Sequence, residues 1–163
     1  MRGALWQPLL PSDLPRLGLI EAAVHPGLPE RREVMAEKLA LYPQGCRKLI
    51  VGTNMLGYAI AHPWRAGYAP ALDSLLGVLP AEPACLHMHD VALLPEARGL
   101  GAARAYVDAL RRLARDEGIQ SLACVSVYGT ASLWGALGFR QTASIEGSLA
   151  TYPAGAMYMT APA

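Results

Sequence analysis

Residues 93–103, Leu-Leu-Pro-Glu-Ala-Arg-Gly-Leu-Gly-Ala-Ala, carry the most chemically informative spacing in the chain. An apolar run ends at Leu94 and Pro95. A glycine-spaced turn bearing Arg98 follows, and an amphipathic helical pattern begins at once. Such a turn offers bare backbone N–H groups, a helix N-terminus and a guanidinium to one anion, which is how a protein holds a pyrophosphate. Gly99 and Gly101 leave room for a phosphate where a Cβ would obstruct it. Just upstream lies His87-Met88-His89-Asp90. An imidazole can take up a proton near neutral pH, and a carboxylate can orient its neighbours. Strand alternation puts His87, His89, Val91 and Leu93 on one face, and Met88, Asp90 and Ala92 on the other. Two histidines at i,i+2 could also chelate an ion. No third ligand follows at strand spacing, because Glu96 lies past the strand end, so no metal is expected.

The elements that must position these groups follow from periodicity. Residues 4–10 read as a strand ended by Pro11. Ser12 and Asp13 are N-cap residues for a helix carrying Leu14, Leu17, Ile20 and Val24 at helical spacing, which His25-Pro26-Gly27 ends. Pro29 is expected to open a second helix through about Tyr42. Residues 48–51 and 56–61 read as a hairpin turning near Gly52-Thr53-Asn54. Residues 62–84 are rich in proline and glycine, with a short helical piece expected around Leu72, Leu75 and Leu76. A loop this long is either functional or a plain surface excursion. A strand over 85–94 leads into the turn. The clearest helix spans 99–118, with Ala103, Tyr106, Val107, Leu110, Leu113 and Ala114 on one side and Gly118 as its stop. A strand over 121–127, a short helix over 130–137 closed by Gly138, and strands over 139–144 and 156–160 complete the chain.

Three glycine-rich turns compete for residues 98–103. A P-loop needs Gly-Lys-Ser/Thr, and Gly101 is followed by Ala102, Ala103 and Arg104. A dinucleotide fingerprint needs a small residue where Arg104 stands and an acidic residue to hold a ribose. The remaining pattern is Arg/Gln-x-x-Gly-x-Gly/Ala, filled by Arg98, Gly101 and Ala103 directly after a strand. That turn resembles the coenzyme A-binding turn of the GNAT acyltransferases. The element order β-α-α-β-β-β-α-β-α-β-β resembles theirs along nearly the whole chain. So does Ala131-Ser132-Leu133-Trp134-Gly135-Ala136-Leu137-Gly138-Phe139, similar to the family's short helix ending in Leu-Gly-Phe.

The resemblance implies a single α/β domain over residues 1–163. Its mixed central sheet would have about seven strands, splayed between the fourth and fifth, with about four helices. It implies acetyl-CoA as cofactor, held by Arg98, Gly99, Leu100, Gly101, Ala102 and Ala103. Val91, Ala92 and Leu93 would lie along the pantetheine arm and Trp134 would wall it. Several family members place Glu-Asp where this chain has His89-Asp90, with the Glu as general base. His89 is therefore the first candidate base, directly or through water, and a sheet hydrogen-bonding role stands beside it. The family often takes the thiolate's proton from a tyrosine at the position of Trp134; indole is not a useful acid, so either the thiolate leaves unassisted or another hydroxyl serves. Tyr128, with Ser132 and Tyr152 behind it, is the nearest hydroxyl candidate. The substrate side maps to 25–32, to 62–76 and to the region of Tyr152. His87, Trp64, Tyr68 and Tyr152 are candidate contacts, and His62 and Arg65 could meet a polar group. Asp73 is the one negative charge between His62 and Leu76. A polyamine would call for more carboxylates, so a small neutral or acidic amine is favoured.

Composition bounds the rest. The chain has 163 residues, 53% of them hydrophobic, and a formal net charge of +1. That charge gives no reason to expect nucleic acid or a membrane surface. Cys46, Cys85 and Cys124 are odd in number and widely spaced, which points to free thiols in a reducing compartment and a cytoplasmic protein. The expected activity is acetyl transfer to a primary amine of a small molecule by direct attack in a ternary complex. Two alternatives remain open on the residues: a non-catalytic acyl-CoA-binding or sensing module, and a protein or peptide N-acetyltransferase. Dimerisation is common in the family, and no residue here decides for or against a homodimer.

Overall fold

The computed structural model describes residues 3–163. One seven-stranded sheet runs through the molecule in the order β1-β2-β3-β4-β5-β7-β6. Its strands are β1 Ala4–Pro8, β2 Arg47–Val51, β3 Asn54–Trp64, β4 Cys85–Leu93, β5 Ser121–Ser126, β6 Arg140–Gln141 and β7 Met157–Pro162. Neighbours are antiparallel except β4 and β5, which are parallel. Four α-helices connect them: α1 Leu14–Val24, α2 Arg32–Leu41, α3 Ala102–Asp116 and α4 Ala131–Ala136. Among the described residues no helix is long and apolar enough to cross a membrane.

Two apolar layers sandwich the sheet. Leu17 and Ile20 of α1 and Met35 and Leu39 of α2 pack on Tyr58, Ile60 and Ala92. On the other side Tyr106, Val107, Leu110 and Ala114 of α3 pack on Ala59, Ala61, Leu86, Met88 and Leu122. Alternate residues of β3 thus feed opposite layers, as a pleated strand requires. The apolar stripe of α3 is the one its sequence spacing describes, and Gly118 at φ +72° ends it. The Leu137-Gly138-Phe139 sequence has a local cause. Gly138 takes φ +95°, the Phe139 N–H closes back onto the Trp134 carbonyl at 3.1 Å, and Arg111 of α3 donates to the Leu137 carbonyl. These bonds satisfy carbonyls that a helix end leaves open.

Four expectations need correction. α2 begins at Arg32, not Pro29, because the intervening backbone is held extended by side chains. The Glu30 N–H donates to the Glu21 carboxylate at 2.9 Å and the Arg31 N–H to Asp73 at 2.7 Å. Residues 72–76 form no helix. Their polar groups are instead held by α2: Glu37 accepts from the Leu76 and Gly77 N–H groups, and Lys38 donates to the Ser74 carbonyl at 3.3 Å. The strand expected over 139–144 shrinks to Arg140–Gln141.

The fourth correction matters most for the site. The β3–β4 register runs Ile60 to Asp90 and then Ala61 to Met88, so His89 is an extra residue in β4. This bulge reverses the alternation beyond it. Met88 and Val91 belong to the α3 layer and Ala92 to the α1–α2 layer. His87 and His89 still share a side, but Asp90 joins them and Val91 and Leu93 leave. Strict alternation predicted the opposite for residues 90 to 93.

Candidate active site

Strands β4 and β5 are paired only from Leu86 to Met88 against Leu122 to Cys124. Beyond that they part, and the split opens into a cavity of about 690 Å³. Its two ends are made from different material.

One end is backbone. Gly99 and Gly101 both sit at φ +74°, in the region where an L side chain is strained. A Cβ built on either meets nothing within 4 Å, so the space above the turn is open. Among the described residues, no acceptor takes the backbone N–H groups of residues 99–104. The first turn of α3 adds the positive end of its dipole. Arg98 and Arg104 also line the cavity, tethered through the Leu93 and Ala136 carbonyls at 3.3 and 3.2 Å. Open N–H groups, a helix N-terminus and two guanidinium groups fit a pyrophosphate-bearing cofactor. Trp6 anchors this end from β1, donating its indole N–H to the Ala102 carbonyl at 2.8 Å.

The other end is side chain. His89 Nε2 lies 2.8 and 3.0 Å from the two carboxylate oxygens of Glu30, and the His89 side chain is wholly enclosed. Its Nδ1 is buried with no hydrogen-bond partner. A second pair stands beside it. His25 Nε2 lies 2.8 Å from Asp90 Oδ1, and the Tyr58 hydroxyl donates to Asp90 Oδ2 at 2.5 Å. The His25 Nδ1 is likewise buried and unpartnered. The imidazole stacks on Tyr128, with ring centroids 5.9 Å apart and planes 19° from parallel. Tyr128 is half exposed and holds φ +56°, an uncommon conformation for a residue with a side chain.

The electrostatics follow from these contacts. Burial works against a charged His25, but the hydrogen bond and charge of Asp90, with Glu21 and Glu30 farther off, outweigh it and raise its pKa. Burial alone would raise Glu30, yet the hydrogen bond and charge of His89 and the Asp73 N–H hold it below the ordinary carboxylate value. Glu21 is raised, chiefly by burial. Cys124 lines the cavity, but burial pushes its thiol up to about 12, so it is no nucleophile near neutral pH.

The structure brings His89, Tyr128, Val91, Leu93, Arg98, Gly99, Gly101, Ala102, Ala103, Trp134 and Tyr152 onto this one cavity. It leaves five expected residues off it. The Ala92 side chain is buried in the α1–α2 layer, and Leu100 points to solvent. His87 is buried beside His62, ring to ring at 5.8 Å. Burial pushes the pKa of His87 down, and that of His62 down to about 3. Both imidazoles are neutral core groups rather than substrate contacts. Trp64 packs in the cluster around Ala69, Cys85 and Tyr158, and Arg65 lies over the Trp64 and Tyr68 rings at 5.6 and 5.4 Å. These aromatics pin the long loop and leave the cavity wall to Tyr152, whose hydroxyl donates to the Pro70 carbonyl at 2.6 Å. Leu28 and Leu72 complete that wall.

Sequence reasoning missed Glu30, the His25–Asp90 pair and Tyr58. Glu30 lies 59 residues from His89 and Tyr58 lies 32 from Asp90, so no local spacing announces either contact.

A family model described as the acetyltransferase (GNAT) family matches residues 19–139. No curated protein sequence matches the chain. Among solved structures, a GNAT-like decarboxylase, GphF, in complex with isobutyryl-CoA superposes with a TM-score of 0.78 at 18% identity, covering 97% of this chain and 98% of that one. The ribosomal-protein-S18-alanine N-acetyltransferase from Escherichia coli gives 0.68 at 18% identity, over 98% and 93% of the two chains. N-acetylglutamate synthase from Neisseria gonorrhoeae, complexed with coenzyme A and N-acetyl-glutamate, gives 0.70 at 16% identity, over 98% of this chain and 35% of that one. At these identities the likeness is one of fold.

Proposed function

The chain belongs to the acetyltransferase (GNAT) family, and on that premise we propose that it transfers an acetyl group from acetyl-CoA to a primary amine of a small molecule. The observation that carries this reading is a juxtaposition. An anion cradle and a buried histidine–carboxylate pair open onto one cavity across the β4–β5 split. When bound, acetyl-CoA supplies the thioester carbonyl that the amine attacks.

Residues 99–104 hold the pyrophosphate through backbone N–H groups, with the Arg98 and Arg104 side chains balancing its charge. Val91, Leu93 and Trp134 line the way inward. The Nε2–H of His89 donates to Glu30, which fixes the ring and leaves the Nδ1 lone pair to take the amine's proton, directly or through water. The inert Cys124 thiol supports direct attack over an acyl-enzyme.

Support for a small acceptor comes from the long loop. Its residues 72–77 are fastened to α2 and to Arg31, and Leu72 faces the cavity. A fastened wall suits a small molecule better than an extended peptide. The acceptor end holds Glu30 and Asp90 and no lysine or arginine, which supports a neutral amine over the acidic one that the sequence had equally allowed. Three free, buried cysteines suit a reducing cytoplasm.

The test is thiol release from acetyl-CoA against a panel of small amines and short peptides. Release that depends on a small amine is expected. Release with peptides alone would move the acceptor to proteins, and tight cofactor binding without any amine-dependent release would favour a sensing module.

A further inference from the structure

The acetyl-transfer reading leaves the departing thiolate's proton unassigned, and a second buried histidine–carboxylate pair, His25 with Asp90, lines the same cavity. We infer that His25 is the acid: held by Asp90 and Tyr58, it donates the proton on Nδ1 to the thiolate while His89 takes one from the amine. This rests on the acetyl-transfer reading above.

Four observations converge. First, the ring is fixed along its edge. Asp90 binds Nε2 at 2.8 Å, and Asp90 is itself fixed by the Tyr58 hydroxyl at 2.5 Å. Second, it is fixed across its face by the stack on Tyr128. Third, its remaining nitrogen, Nδ1, is buried and has no partner, although His25 lines the cavity. A protonated imidazole with one N–H engaged has one N–H left to give. Fourth, the β4 bulge turns Asp90 onto the same side as His89. His25 is therefore one hydrogen bond from the residue preceding Val91, where the pantetheine arm is read to pass.

The two histidines differ in their surroundings. The groups facing His25 are Asp90 from β4, Glu21 from α1, Glu30 before α2, Tyr58 from β3 and Tyr128 after β5. Three are carboxylates and none is a cation, so the imidazolium is favoured. His89 faces His62 and His87 beside its single carboxylate. The contacts therefore give the two rings different partners, three carboxylates around His25 and one carboxylate with two imidazoles around His89. The step balances. The amine nitrogen forms the C–N bond and loses a proton to His89. The C–S bond breaks with its electron pair going to sulfur, which takes the His25 proton, and solvent exchange restores both rings. Tyr128, the hydroxyl candidate from the sequence, acts here by its ring.

The experiment has two readouts. In the first, coenzyme A is titrated with base on the enzyme and its thiolate is followed by ultraviolet absorbance. A charged His25 beside the sulfur should lower the bound thiol's pKa, and His25→Asn should return it to that of free coenzyme A. In the second, the pH–rate profile of the wild type should fall on the alkaline side. His25→Asn should lose that limb, Asp90→Asn should move it to lower pH, and Tyr128→Phe should keep it. A bound thiol unchanged by His25→Asn, or an alkaline limb lost in Tyr128→Phe, overturns the assignment. If His25→Asn does not fold, His25→Gln and Asp90→Asn carry the same comparison. Wild-type enzyme that binds no acetyl-CoA would instead remove the acetyl-transfer reading, and so the two failures are distinct.

Discussion

At one end of the cavity the chemistry is backbone, and at the other it is side chain. The cradle proposed at residues 98–104 is one contiguous stretch in which the N–H groups of 99–104 are open, Gly99 and Gly101 adopt φ +74° and α3 starts. The proton-handling end draws His25, Glu30, Tyr58, His89 and Asp90 from four separate parts of the chain. The first end rests on backbone conformation, with the Arg98 and Arg104 guanidinium groups as its side-chain charge. The second depends on a few atoms and on the bulge that turns two successive residues to one side. Changes at the first end should therefore alter affinity, and changes at the second should alter rate.

Four substitutions test that division, taken from the largest expected effect to the smallest. His89→Ala should lower turnover by about 10²–10⁴-fold, the usual contribution of a general base, with acetyl-CoA affinity unchanged. An unchanged rate and pH profile would remove His89 from the mechanism. Glu30→Gln keeps the shape but not the charge that orients His89. Its turnover should fall less than that of His89→Ala, because the proton acceptor itself remains. Steady-state kinetics with a saturating amine distinguishes the two, and equal losses would mean that Glu30 does more than orient.

Asp90→Asn should change the pH dependence of stability. The His25 pKa is raised in the folded protein above its ordinary 6.5. Its contribution is thus full below that value and is lost as pH rises through the raised one. Wild-type melting temperature should fall over that window and the variant's should not. Parallel curves would show that the pair adds nothing to folding. Asp73→Asn should have the smallest effect, a modest rise in KM for the amine through a looser loop, because the Arg31–Asp73 pair is exposed and water weakens it. A change in kcat instead would tie the loop to the chemistry.

The same division explains what could be read from the sequence. The geometry of the turn was legible because its determinants are local: two glycines, an arginine and a helical stripe within one short run. The mixed seven-stranded sheet, split between the fourth and fifth strands, was implied by the resemblance that element order and the Leu-Gly-Phe ending carry. That ending's glycine and carbonyl serve a helix stop and an arginine contact. Residues 25–32 were placed on the substrate side, but neither pairing there could be read. His25 followed by Pro26 and Gly27 looks like a helix stop, and nothing nearby marks its contact with Asp90, 65 residues away. The bulge at His89 left no sequence signal either, since His-Met-His-Asp alternates equally well as a regular strand. Trp64 and Tyr68 suit an aromatic wall by type, and only packing reveals that they fasten the loop from the far side.

The cradle is the premise for every step at the other end, and calorimetric titration with acetyl-CoA tests it most directly. Wild-type protein would be compared with an Arg98→Ala/Gly101→Glu double variant that keeps the wild-type circular dichroism spectrum. Micromolar binding by the wild type, abolished in the folded variant, is the predicted result. No binding by the wild type, or equal binding by both, would mean that residues 98–104 only start a helix, and it would contradict the cofactor site and the chemistry built on it.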